Sequence, residues 1–281
     1  TAVRRRLEAA HARIDQQRPL ATYSEYDLIC GLTGLGVVLR RLGHLDLLRD
    51  VLAYLVRLTA PLGGLPGWWC RTGPHRTRPG PPGGHSNHGI AHGITGPLAL
   101  LALTASDGVH VDGQQEAITR ICQWLDRWQQ HTPDGAAWWP ETITLEQLRD
   151  GAAPSTGPPR PSWCYGTPGI ARAQQLAARA LNDRGRQHAA ERAFTACTDD
   201  PVQVGRLTTR GLCHGTGGLL ATARRIAADA LTPIPLHPLH TLHQQTTPSP
   251  DDPPGLLDGT AGAALTTIET TTDWDACLLL C

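Results

Sequence analysis

The 281 residues contain no lysine and no methionine, and aromatic residues make up only 5 %, with a single phenylalanine. Without lysine, Schiff-base chemistry and a lysine general base are excluded; all 25 basic residues are arginine. The missing methionine at position 1 predicts that the chain starts inside a longer reading frame. Net charge is also absent, 25 basic against 25 acidic side chains, so nothing directs the protein to nucleic acid or to an anionic membrane surface. No apolar run reaches the ~18 residues of a transmembrane segment, and no signal peptide opens the sequence. The eight cysteines, at 30, 70, 122, 164, 197, 213, 277 and 281, lack the dense spacing of a disulfide scaffold, which predicts a reducing, cytoplasmic setting.

What is present is a repeat. Gly-x-x-Gly followed by an Ala/Leu-rich run occurs at Gly31 to Gly34, Gly93 to Gly96, Gly166 to Gly169, Gly215 to Gly218 and Gly259 to Gly262. The intervals leave room for one further helix each, predicted at residues 46–59, 114–130 and 182–197; in the fourth interval Pro233, Pro235 and Pro238 break any long helix. At the start, Val3, Leu7, Ala10 and Ile14 have helical spacing, so residues 1–18 read as an amphipathic helix with its arginines mostly on a solvated face. Pro/Gly-rich stretches at 61–84, 151–161 and 246–255 read as irregular connections rather than domain linkers. Strand signals are scarce, so the sequence predicts an all-α protein of helical hairpins forming one domain over residues 1–281.

Small residues in the first turn let neighbouring helix N-termini approach closely. The residues just before each glycine pair then face a common centre: Asp27 with Cys30, His92, Cys164 with Tyr165, Cys213 with His214, and Asp258. Among these, Cys213-His214 offers a thiolate and an imidazole, donors that zinc prefers. A Cys-His dipeptide alone is usually incidental, because free cysteine commonly serves as a small buried hydrophobe. Cys164, in a matching Gly-x-x-Gly context, is the best third ligand. Three protein ligands leave a fourth tetrahedral position open, the arrangement of a catalytic zinc. Bland roles compete at the other positions. Asp27 reads equally as a helix cap, and Arg160 beside three prolines as a solvated charge. Asp258 is assigned to capping. His88, four residues before His92 on what would be one helical face, ranks below it because it does not directly precede a glycine pair.

Six stretches together carry a family resemblance: Tyr26-Asp27-Leu28-Ile29-Cys30-Gly31-Leu32-Thr33-Gly34, Ala91-His92-Gly93-Ile94-Thr95-Gly96, residues 160–169, Leu212-Cys213-His214-Gly215, Leu257-Asp258-Gly259-Thr260-Ala261-Gly262, and the C-terminal Trp274 to Leu280. In these the chain resembles the lanthionine synthetase C-like family, the lanthipeptide cyclases. The resemblance implies an α/α toroid with inner and outer rings of helices. It implies one zinc ion held by Cys164, Cys213 and His214, and further active-site residues at Asp27, His92, Arg160 and Tyr165. Family members have seven inner helices where five glycine pairs occur here, so about two hairpins are expected upstream, and without them apolar helix faces are expected to lie uncovered.

The implied reaction adds a cysteine thiolate of a dehydrated precursor peptide to the β-carbon of dehydroalanine or dehydrobutyrine, giving lanthionine or methyllanthionine. A free thiol of pKa about 8.5 is only about 3 % ionised at pH 7, and zinc coordination would supply the missing ~2 kcal/mol. His92 is then the candidate acid, Asp27 its orienting partner, and Arg160 and Tyr165 the groups that stabilise the enolate oxygen. The expected partners are the precursor peptide with its leader and a lanthipeptide dehydratase, in the cytoplasm or in a membrane-associated biosynthetic complex. Two other readings stay open: zinc-dependent addition of glutathione or another thiol to an electrophile, and a zinc-containing peptide-binding scaffold without turnover.

Overall fold

The computed structural model describes residues 2–73, 80–153, 157–268 and 272–281; the portions of the expected loops at 74–79 and 154–156 lie outside them. Each glycine pair opens a helix: Leu32–Leu42, Thr95–Ser106, Thr167–Leu181, Thr216–Asp229 and Thr260–Leu265. The first four pack on one another in chain order and form the inner layer. Each of them also packs on the helix that follows it, Leu45–Leu58, Gln114–Trp128, Arg184–Asp199 and His237–Gln245, and these make the outer layer of an α/α toroid.

Side-chain pattern explains which helix goes where. Leu48, Val51, Leu52, Leu55 and Leu58 recur at three- and four-residue spacing and are all buried, one apolar stripe on an otherwise polar outer helix. In the inner helix Thr95–Ser106 every residue from Thr95 to Thr104 is buried, as expected of a helix surrounded by others. The fourth outer helix is short, nine residues, and starts with Pro238 in its first turn, where a missing N–H costs nothing. The N-terminal helix ends at Asp15 rather than 18. Arg13 departs from the expected solvated face: it is buried, its Nε donating to both carboxylate oxygens of Glu25 at 2.7 and 2.9 Å and its Nη2 to Gly67 O at 3.0 Å.

The glycine pairs serve a closer contact than the one expected from the sequence. A Cβ on Gly218 would lie 1.9 Å from Leu212 O, and one on Gly169 would lie 2.2 Å from Trp163 O. The loop before each helix thus folds back onto the helix's own first turn, six residues apart. The approach of neighbours is real but looser: the same Cβ atoms would lie 3.2 Å from Trp163 Cβ and 3.1 Å from Ile90 Cγ2 of the preceding repeat. Threonines tie the loops down at the same span of seven, Thr33 Oγ1 donating to Tyr26 O at 2.6 Å and Thr95 Oγ1 to His88 O at 2.5 Å.

Three short antiparallel strand pairs occur where the sequence reading predicted no strand: Pro61–Leu62 with Leu65–Pro66, His85–Asn87 with Thr142–Thr144, and Gln130–His131 with Ala137–Trp138. Two or three residues are too few to show alternation. The tail closes the fold onto its beginning. Its turn Trp274–Leu278 packs on the first inner helix, Arg40 Nη1 donates to Cys281 O at 2.8 Å, Trp163 Nε1 to Leu278 O at 3.0 Å, and Arg172 Nε to Leu280 O at 2.9 Å. One cluster of buried apolar side chains consequently runs from Leu7 to Leu280. Among the described residues no helix is long and apolar enough to cross a membrane.

Candidate active site and metal centre

The loops before the inner helices are joined edge to edge by main-chain hydrogen bonds: Leu28 N to Ala91 O at 3.1 Å, Cys164 N to Cys213 O at 3.1 Å and Cys213 N to Leu257 O at 2.8 Å. These bonds bring sequence-distant side chains together in two groups.

In the first group, Asp27 is fully buried. Its Oδ1 accepts from Cys30 N at 2.6 Å, and its Oδ2 lies 2.6 Å from His92 Nδ1. The capping role weighed for Asp27 therefore survives as a turn bond through one oxygen, while the other holds the histidine. A carboxylate on Nδ1 keeps the proton there and leaves Nε2 as the exchanging nitrogen. The ring of His92 packs against Tyr23, centroids 5.3 Å apart.

In the second group, one donor atom each from Cys164, Cys213 and His214 lie within 4.8 Å of one another. The Cys164 thiol is pushed down to about 5 by a hydrogen bond from Cys213, against the effect of burial, with His214 and the Ser162 hydroxyl adding to the first. Cys213, as the donor, is pushed up, and burial adds to the rise. His214 is raised by its hydrogen bond to Cys164, against burial and the positive charge of Arg160. One thiolate is therefore already favoured in the cluster. Two sulfurs and an imidazole, soft donors at mutual reach of a single ion, fit zinc. Arg160 itself is exposed.

Tyr165 links the groups. It follows Cys164 in sequence, and its hydroxyl accepts from Asn87 Nδ2 at 3.0 Å; the same nitrogen donates to Tyr23 OH at 2.8 Å, beside His92. Sequence reasoning missed both Tyr23 and Asn87, since neither directly precedes a glycine pair.

Two assignments change. Asp258 does not cap: the cap position of its helix is Gly259, with no side-chain bond, and Asp258 Oδ1 lies 3.5 Å from His214 Nδ1. Its slot directly before the glycine, the slot of His214 one repeat earlier, was the available signal. His88 shares no helix with His92. It is fully buried, Nδ1 at 2.9 Å from Pro140 O and Nε2 accepting from Trp124 Nε1 at 2.9 Å, so both ring nitrogens are used in packing.

Inner and outer helices around a Cys/Cys/His cluster define a toroid with a metal-type donor set at the mouth of its inner helices. Residues 3–279 match the family described as lanthionine synthetase C-like protein. The chain belongs to that family and is an enzyme of the lanthipeptide cyclase class. Among solved structures it is similar to nisin cyclase, with a TM-score of 0.80 and 20 % sequence identity over 96 % of this chain and 70 % of that one. No curated protein matches this chain significantly.

Proposed function

We propose that residues 1–281 act as one zinc-dependent cyclase domain, adding cysteine thiolates of a dehydrated precursor peptide to dehydroalanine or dehydrobutyrine. The carrying observation is the convergence of Cys164, Cys213 and His214 donor atoms within 4.8 Å in a chain of this family. These three residues would hold the zinc. When bound, zinc supplies a Lewis acid that keeps a substrate thiol ionised at neutral pH.

The remaining steps belong to the chain's own side chains. As the new sulfur–carbon bond forms at the β-carbon, the alkene electron pair moves toward the neighbouring carbonyl and makes an enolate. Arg160 and the Tyr165 hydroxyl stabilise its oxygen. His92, held by Asp27 through Nδ1, delivers the proton to the α-carbon from Nε2. The peptide arrives already dehydrated, so the partner reaction is loss of water or its equivalent from serine and threonine, the task of a lanthipeptide dehydratase. The reading places the work in the cytoplasm.

His92→Asn tests the division of labour. At matched zinc content, free-thiol loss from a dehydrated peptide should slow by ~10²- to 10⁴-fold, the usual worth of a positioned acid. Zinc loss in this variant would make His92 a ligand, and an unchanged rate would make it a packing residue.

A further inference from the structure

A buried amide lies between the strand His85–Asn87 and the Cys164 loop. Asn87 is fully buried, and every polar atom of its side chain is used. Its Oδ1 accepts from Gly89 N at 2.9 Å, while Nδ2 donates to Tyr23 OH at 2.8 Å and to Tyr165 OH at 3.0 Å. The main-chain N–H of Gly89 can only donate, so it fixes which way the amide faces. Turned over, the NH₂ would oppose that N–H. Asn87 is thus a double donor, and each phenol that accepts from it has its own proton left to give.

The two phenols differ in where that proton goes. The Tyr23 hydroxyl lies 2.8 Å from a second partner, His85 Nε2, in a ring that burial keeps neutral by lowering its pKa to about 4. For Tyr165 no acceptor takes the proton among the described residues. Tyr165 directly follows Cys164 of the candidate metal centre in sequence. Its ring is seated from the same side, since a Cβ on Gly89 would lie 2.8 Å from Tyr165 Cδ1 and Cε1.

We propose that Asn87 is a positioning residue for cyclisation: by donating to the Tyr165 hydroxyl it makes that hydroxyl a donor with its proton directed at the enolate oxygen. This rests on the role given to Tyr165 above. Asn87→Asp reverses the polarity, because a carboxylate still accepts from Gly89 N but now accepts from both phenols and draws the Tyr165 proton to itself.

The probe is a synthetic peptide with one cysteine and one dehydroalanine, assayed with the zinc-loaded chain. Asn87→Asp should lower kcat by ~10- to 100-fold with KM within about threefold and zinc content unchanged. In a Tyr165→Phe background the same substitution should change kcat by less than about threefold. An equal loss in both backgrounds, or no loss in the parent, overturns the proposal. A parent-like rate in Tyr165→Phe alone would instead overturn the role of Tyr165. If the Asn87→Asp variant does not fold, the parent protein with ¹⁵N-labelled asparagine side chains decides. The Asn87 amide proton bound to Tyr165 should shift on Tyr165→Phe, and an unmoved pair of amide resonances refutes the link.

Discussion

The loops before the first and second inner helices and those before the third and fourth share one backbone frame but are finished differently. In the first pair Asp27 is fully buried and both of its oxygens are taken, by Cys30 N and His92 Nδ1, each at 2.6 Å. Nothing further is required to satisfy it. In the second pair Cys213 and His214 are partly exposed, and three atoms of the kind that zinc prefers lie within 4.8 Å of one another. The contrast shows that the fold provides equivalent slots at the helix mouths, and that side chains alone make one a carboxylate–imidazole pair and another a Cys/Cys/His cluster suited to a metal ion.

The largest expected effect comes from breaking the shared frame itself. Gly218→Ala places a methyl group 1.9 Å from Leu212 O and 3.2 Å from Trp163 Cβ, with backbone on one side that cannot swing away. Overpacking of this kind costs about 3 kcal/mol. Because the displaced loop carries Cys213 and His214, thermal unfolding should move to lower temperature and zinc affinity should fall together. Stability lost with zinc affinity intact would show that the cradle does not depend on the glycine frame.

A smaller effect separates the two loop pairs. Asp27→Asn keeps an acceptor for Cys30 N but removes the carboxylate from His92 Nδ1. The account predicts a rate lower by ~10- to 100-fold, with zinc binding as in the parent. An unchanged rate would reduce Asp27 to the turn bond it makes with Cys30.

These contrasts also show how far the sequence could be read. The five helix starts were legible because glycine pairs mark backbone that cannot carry a Cβ, and Cys164, Cys213, His214, Asp27 and His92 were legible because each lies within four residues before such a pair. Asn87 carries no such mark. It sits in a three-residue strand whose partner, Thr142–Thr144, is some 55 residues away in sequence, and its value depends on two tyrosines that tertiary packing alone brings near. Asp258 stood in a slot that was noticed, yet its neighbour His214 comes from the preceding repeat, and only the loop-to-loop bond of Cys213 N with Leu257 O brings them together. Arg13 shows the reverse limit, a charged residue on a polar stripe that a distant carboxylate pulls inside.

A further effect, small near neutral pH and growing with acidity, concerns histidines that pack rather than react. Burial lowers the pKa values of His85, His88 and His243 to about 4, whereas the unfolded chain holds them near 6.5. Between those limits the unfolded state binds more protons, so stability rises with pH and is lost as pH falls from about 6.5 toward 4. Denaturant midpoints measured across that range should decline with acidity, with a shallower decline in His88→Asn. A flat profile would mean that these rings are not neutral in the fold.

The division between a metal cradle and a proton relay is tested most directly by the zinc content of two variants prepared side by side. The account predicts about one equivalent per chain in the parent and in His92→Asn, and a sharp loss in Cys213→Ala. Full zinc retention by Cys213→Ala, or zinc loss from His92→Asn, would contradict it.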